Sequence, residues 1–155
     1  MTGNEVTIAG PRPLRGTLRV PGDKGISHRA LLSAALASGR STIRGLADGD
    51  DVQRTRRALE LLAVRMKGPD PSTVTVTGAG AGGLREPDAV IDCGNSGTTM
   101  RTLAGLLAGR PFLSVLTGDA SLQERPMGRV VRPLRMLGAH VDGRADGELA
   151  PLAIL

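Results

Sequence analysis

Two stretches of this chain are variants of one pattern, and that duplication narrows the folds open to it. Val20 to Gly39, VPGDKGISHRALLSAALASG, sets a Gly-rich turn carrying Lys24 directly before an apolar helical segment. Asp92 to Gly109, DCGNSGTTMRTLAGLLAG, is a weaker copy. Setting Gly22 over Gly94 also superimposes Gly25 on Gly97, Arg29 on Arg101 and Leu31 on Leu103. A second pair of helical segments, Arg57 to Ala63 and Arg132 to Gly138, matches at a slightly larger offset. Two matched pairs at nearly one offset imply a repeated unit of a little over 70 residues, longer than the usual solenoid periods.

Periodicity fills in the unit. Glu5 to Ala9 and Thr17 to Val20 alternate as short strands around the breaker Gly10-Pro11-Arg12-Pro13. Ser27 to Ser38 reads as a helix with Gly39 as its stop, followed by a strand over Ser41 to Leu46. Asp48 to Asp51 is an acidic N-terminal cap for a helix over Val52 to Met66, which Gly68-Pro69-Asp70-Pro71 ends. Ser72 to Thr77 is a strand and Gly78 to Gly83 a loop. Ala89 to Asp92 is a strand, Thr98 to Ala108 a helix, Phe112 to Thr117 a strand, Gly128 to Ala139 a helix containing Pro133, and Leu149 to Leu155 a strand. The recurring order β-α-β-α-β marks an α/β protein.

Charge narrows the partners. The 155 residues carry a formal charge of +5, which favours anionic ligands. Phe112 is the only aromatic, and the basic residues are scattered, so stacking on single-stranded nucleic acid is disfavoured. Small acidic metabolites fit better. Cys93 stands alone, so there is no disulfide framework and no CxxC metal pair. No apolar leader and no run of about 18 apolar residues occurs, and the chain reads as cytoplasmic, without membrane partner, metal or cofactor.

Three motifs carry the chemistry. Gly22-Asp23-Lys24-Gly25 precedes a helix whose first turns carry His28 and Arg29, an arrangement that holds phosphate or carboxylate at backbone N–H groups and cations; a solvated first turn is its plain alternative. Only Lys24 and Lys67 are lysines among 20 basic residues, so a compact ammonium in that turn is notable. Asn95-Ser96-Gly97-Thr98-Thr99 offers hydroxyls and an open backbone, or simply a capping turn. Glu124-Arg125-Pro126 puts a guanidinium where the chain turns, suited to a carboxylate or to an internal pair with Glu124. His28 and His140 read as surface histidines and Cys93 as a small core residue.

Taken together, GDKGISHRALL, CGNSGTTMR and ERPMG resemble the 5-enolpyruvylshikimate-3-phosphate synthase family, and the resemblance covers nearly the whole chain. It implies transfer of the enolpyruvyl group of phosphoenolpyruvate to the 5-hydroxyl of shikimate 3-phosphate, releasing phosphate, on the route to chorismate and the aromatic amino acids. By resemblance Lys24 contacts both substrates and Arg29 contacts shikimate 3-phosphate. Gly97, Asn95 and Thr98 line the phosphoenolpyruvate pocket, Arg125 clamps its carboxylate, and Asp51 lies near the site. No catalytic acid or base falls within the chain, because the family's acid–base groups lie in a portion absent here.

The resemblance also implies an inside-out α/β barrel of repeated β-α-β-α-β-β units, of which this chain holds about two of six. Residues 1–20 then belong with a missing second domain. Residues 21–155 form a partial first domain, with repeat one at about 21–90 and a truncated repeat two at about 91–155. The chain stops inside an apolar run, which reads as a fragment holding half an active site, and the family is usually monomeric. Two departures stand out: Gly25 replaces the family's usual Ser, and Ser121 to Glu124 lacks basic residues common there. The alternatives are a non-catalytic binder of phosphorylated ligands, or the sister transferase acting on UDP-N-acetylglucosamine, which normally carries a Cys in the loop equivalent to Gly118 to Arg125.

Overall fold

A computed structural model of the chain describes residues 7, 10, 11, 13, 15–80 and 82–155. Asp23 accepts a hydrogen bond from the Ile26 N–H at 2.6 Å, so the first helix, α1 (Lys24–Leu36), begins three residues earlier than the hydrophobic pattern suggests. Lys24 and Gly25 are therefore the first turn of a helix, not a free loop. Gly39 does not stop it; the chain turns at Ala37 straight into β1 (Ser38–Arg44).

Helix α2 (Asp50–Leu61) opens with Asp50 and Asp51 in its first turn, where carboxylates complement the helix dipole. It is shorter than the sequence suggests. Ala63 takes φ 66° and turns the chain into β2 (Arg65–Asp70), which pairs antiparallel with β3 (Thr73–Ala79). The Gly68-Pro69 pair is thus a strand irregularity: the register shifts between Lys67 and Asp70, as expected where proline offers no N–H to the ladder. A Cβ on Gly68 would stand 1.9 Å from the Thr73 carbonyl oxygen, so glycine is required there.

The second half runs β4 (Ile91–Asp92), α3 (Gly97–Leu107), β5 (Ser114–Thr117), α4 (Ala120–Gln123), α5 (Gly128–Met136), β6 (Val141–Gly143), α6 (Arg144–Gly147) and β7 (Leu149–Ile154). Short α4, α6 and β6 carry too little periodicity to be read from sequence. The two sheets share a strand arrangement. One has the order β1-β3-β2 and the other β4-β5-β7-β6, so each half sets its last strand between the two before it, with antiparallel neighbours. The second half adds β4, parallel to β5. In the first half Thr17–Val20 occupies the corresponding place in sequence but joins no ladder among the described residues, and Leu18 and Val20 are exposed. Of Glu5 to Ala9, only Thr7 lies within the described residues.

One core joins the halves. Leu31, Leu59, Leu62, Val74 and Val76 from the first pack with Ile91, Met100, Leu103, Leu107, Leu116, Leu152 and Ile154 from the second, and none is more than 1 % exposed. Burying aliphatic side chains of this size contributes roughly 1.5–3 kcal/mol each. Cys93 lies in this core, and burial pushes its thiol up to about 12.

Candidate active site

The first turns of α1, α2 and α3 meet around one polar cluster. Gly22 makes this possible: a Cβ there would sit 2.0 Å from the Gly45 carbonyl oxygen, so only glycine lets the turn before α1 lie on the connection between β1 and α2. Ser27 locks the contact, donating its hydroxyl to the Asp23 carbonyl at 2.7 Å and accepting the Ala47 N–H at 2.9 Å. Lys24 then reaches across to α2 and donates its ammonium to Asp51 at 2.7 Å.

Beneath that ion pair runs a buried chain of hydroxyls. His28 Nδ1 is 2.7 Å from Thr55 Oγ1, which is 2.8 Å from Thr99 Oγ1, which donates to the Asp51 carbonyl at 3.1 Å. His28, Thr55 and Thr99 are fully buried. A carbonyl only accepts, so the Thr99 proton points at Asp51. Thr55 must then donate to Thr99, and His28 must donate from Nδ1 to Thr55. The neutral Nδ1–H tautomer follows, with a lone pair on the buried Nε2, which has no partner. The surface reading of His28 is therefore wrong: position i+4 from Lys24 faces the seam between three helices, and burial holds its pKa below the ordinary value, against the attraction of Asp51.

A second group forms at the start of α3. Ser96 caps this helix through the Thr99 N–H at 3.2 Å. Arg125 donates one Nη to the Asn95 carbonyl at 3.1 Å and the other to Asn95 Oδ1, while Asn95 donates its amide to Asp119 at 2.8 Å. Arg125 thus rests on neutral acceptors and makes no ion pair with Glu124. The Asn95 amide and the Leu122 N–H hold the Asp119 carboxyl below the usual carboxylate range. Arg101 donates Nη2 to the Pro126 carbonyl at 3.1 Å, while its buried Nε has no partner. Gly97 lets the Arg101 guanidinium lie close to the helix, since a Cβ there would stand 2.7 Å from Arg101 Nη1, and Arg125 Nη1 is 3.6 Å from the same place. Burial, then repulsion from Arg129 and Arg125, lowers the Arg101 pKa. Positive charge is therefore crowded against a helix N-terminus, an arrangement that an anion relieves.

The structure brings Lys24, Asp51, Asn95, Gly97 and Arg125 onto this one face. Thr98, half-buried, sits beside Gly97, and its carbonyl accepts from Thr102. Arg29 is exposed and has no ion pair among the described residues, its guanidinium about 3.5 Å from the place a Cβ on Gly25 would take. Sequence reasoning missed Asp119, which anchors Asn95, and the Thr55–Thr99 link. A threonine mid-helix at an apolar-face position was the available signal for Thr55. On the flank, a hollow of about 510 Å³ is lined by Asp50, Arg54, Asp92, Asn95 and Asp119. Three carboxylates face one guanidinium there, Arg54 bridging Asp50 at 3.2 Å and Asp92 at 2.6 Å, which suits it poorly to an anion. No group of three or more potential metal ligands occurs among the described residues, and no described helix is long and apolar enough to cross a membrane.

Helix N-termini that converge on lysine and arginine side chains, set on two sheets of like strand order, define an α/β protein with a cationic candidate site. Residues 8–155 match the family described as EPSP synthase (3-phosphoshikimate 1-carboxyvinyltransferase), and the chain belongs to that family. It is 54% identical over 149 residues to the 3-phosphoshikimate 1-carboxyvinyltransferase of Chloroflexus aurantiacus, covering 96% of this chain and 34% of the relative. The Geobacillus thermodenitrificans protein of the same name is 56% identical over 141 residues, 91% of this chain and 32% of the relative. The solved EPSP synthase from Acinetobacter baumannii superposes with a TM-score of 0.85 at 41% identity, over 90% of this chain and 32% of that one. The chain thus spans about a third of the length of the relatives it matches.

Proposed function

We propose that this chain supplies one wall of a site that transfers the enolpyruvyl group of phosphoenolpyruvate to the 5-hydroxyl of shikimate 3-phosphate, with release of phosphate. The observation that carries this reading is the crowding of Arg101 and Arg125 against Gly97, neither of them in a salt bridge among the described residues and only Asp119, across Asn95, countering Arg125 from nearby, on the face that Lys24 shares. In this reading Arg125 takes the phosphoenolpyruvate carboxylate through paired N–H donors, with Gly97, Asn95 and Thr98 lining that pocket. Lys24 reaches both substrates, Arg29 takes the 3-phosphate, and Asp51 steers the Lys24 ammonium. Fixed cations in a site closed to water stabilise the charge that moves onto phosphate as it leaves. The acid–base groups lie outside this chain, in the remaining length of the relatives.

The same reading assigns residues 1–20 to a second domain and residues 21–155 to two β-α-β-α-β-β units, near 21–90 and 91–155, of an inside-out barrel of six. The repeated sheet order supports it.

The test is direct. Purified chain mixed with shikimate 3-phosphate and phosphoenolpyruvate is expected to bind shikimate 3-phosphate by calorimetry and to release no phosphate. Lys24→Ala is expected to weaken that binding about ten-fold, the loss of one charge-assisted hydrogen bond. An unchanged Kd in Lys24→Ala, or no binding by the native chain, would sink the assignment. Turnover by the chain alone would show that it holds the acid–base groups, and would favour a different mechanism.

Gly25 supplies a further check. A Cβ there meets only Asp23 Oδ1 at 3.3 Å and Arg29 Nη1 at 3.5 Å. With a shift of a few tenths of an ångström at the Asp23 carboxylate, Gly25→Ser is expected to restore a hydroxyl beside Arg29 and tighten shikimate 3-phosphate binding several-fold. It should also stabilise the helix by roughly 0.5 kcal/mol through the backbone entropy that glycine loses. A serine variant that binds no more tightly would place the 3-phosphate elsewhere.

A further inference from the structure

The outward face of the sheet β1-β3-β2 carries a second cationic site, remote from the helix N-termini. Strand alternation builds it: in SGRSTIR, TVTVTGA and RMKGPD every second residue faces away from α1. On the core face stand Val74 and Val76, both fully buried. On the other, the ladder sets Arg40 and Arg65 on either side of Thr77, and Thr42 and Lys67 on either side of Thr75.

These residues enclose a hollow of about 420 Å³ lined by Arg40, Arg65, Lys67, Thr75 and Thr77. It contains three cations, two hydroxyls and no carboxylate. Arg54, Arg132 and Arg135 are held by acidic side chains, whereas the side chains of Arg40, Arg65 and Lys67 have neither ion pair nor hydrogen bond among the described residues. The Thr75 hydroxyl is shared with Thr42 at 3.2 Å, which leaves Thr77 between the two arginines with its hydroxyl unspent. Asp70 lies beyond the hollow and is engaged by the Ser72 N–H and hydroxyl at 2.8 and 2.7 Å, and Glu60, which lines the adjoining hollow that Arg65 and Thr77 share, is paired with Arg56 at 3.5 Å.

Strand spacing puts the Arg40 and Arg65 backbones about 10 Å apart, and Arg65 and Lys67 about 7 Å apart along β2. Three like charges at that spacing repel, and threonines at the floor supply neutral donors rather than counter-charge. Long flexible arms at these distances close on an anion wider than one phosphate.

We propose that this hollow binds a small molecule carrying two linked phosphate groups, recognised through the phosphates alone. Arg40 and Arg65 grip the two ends, Lys67 neutralises the bridge side, and Thr77 donates its hydroxyl from below. No aromatic lines the hollow to stack a base, so inorganic pyrophosphate and a nucleoside diphosphate bind alike.

The experiment is a titration of the isotope-labelled full chain with inorganic pyrophosphate, and separately with ADP, followed by amide NMR at low ionic strength. Saturable shifts are expected at Arg40, Arg65, Lys67, Thr75 and Thr77, with equal Kd for the two ligands. The double variant Arg65→Gln/Lys67→Gln should weaken binding about ten-fold or more, and Thr77→Val less. These positions are exposed or half-exposed and outside the core, and an unchanged Tm verifies the fold. Shifts confined to the Gly22–Arg29 and Asn95–Arg125 segments would overturn the proposal, as would sheet shifts indifferent to the double variant. Clearly tighter binding of ADP than of pyrophosphate would overturn recognition through phosphates alone. Tighter binding of a single-stranded oligonucleotide would overturn the small-molecule assignment.

Discussion

Thr99→Val is expected to destabilise the chain by about 2 kcal/mol, read as a lower urea midpoint at unchanged slope. Valine matches threonine in shape, so nothing is lost but the hydroxyl. That hydroxyl donates to the Asp51 carbonyl and is 2.8 Å from both Thr55 Oγ1 and Ser96 Oγ. Its removal takes one partner from each of three groups at the seam, but Ser96 Oγ keeps the Thr99 N–H, Thr55 keeps His28 and the Asp51 carbonyl keeps its place in helix α2, so the main loss is the buried acceptor of the Thr55 hydroxyl, roughly 1–3 kcal/mol. Thr99→Ser keeps the hydroxyl, sheds one methyl and should cost only about 1 kcal/mol. Equal stability of Thr99→Val and native chain would mean that the hydroxyl chain contributes nothing to holding α1, α2 and α3 together.

The second large effect is on pH dependence. Burial disfavours the imidazolium of His28, and its folded pKa lies below the ordinary 6.5. Above that value the side chain is neutral in both folded and unfolded chains, and pH has no leverage through it. As pH falls below about 6.5, the unfolded chain takes up a proton that the folded chain refuses, so stability drops. The slope approaches about 1.4 kcal/mol per pH unit until the folded pKa is reached. Protonation would also place a charged Nε2–H where no acceptor waits. Stability measured between pH 7.5 and 5 should show this slope in the native chain and lose it in His28→Gln. A slope that survives the substitution would move its origin to other groups. NMR of the ring should find the proton on Nδ1 at pH 7.5; a proton on Nε2 would reverse the direction assigned to the whole relay.

What the sequence made legible follows from which forces are local. Helix α1 was legible because apolar spacing and a turn at Gly22 sit side by side. Its start was misplaced because the Asp23 cap lies outside the apolar pattern. Strand β2 was lost because Leu61-Leu62-Ala63-Val64 continues the helical pattern, and only the left-handed Ala63 breaks it. Its pairing with β3 is a long-range fact that overrides the local reading of Gly68-Pro69 as a terminator. At the site, Lys24, Gly97 and Arg125 were legible as glycine-flanked or turn-placed cations and openings. His28 was not, since the same residue is exposed or buried according to which neighbour packs over it, and here Thr55 and Thr99 arrive from two other helices. The resemblance of the three motifs to one family was the strongest signal in the chain, and the match over residues 8–155 agrees with it.

The repeated sheet order has a bearing on how this chain behaves in concentrated solution. Among the described residues each sheet ends in two open strands, β1 and β2 in one, β4 and β6 in the other, and open strands recruit further strands into aggregates. All four are blunted, by different means. β1 carries Arg40 and Arg44 along its length, β2 carries Lys67 and the ladder break at Gly68-Pro69, β4 is two residues long, and β6 is three. The cations that line the hollow on the outer sheet therefore also keep separate copies apart, and neutralising them to probe ligand binding should make the chain more prone to self-association.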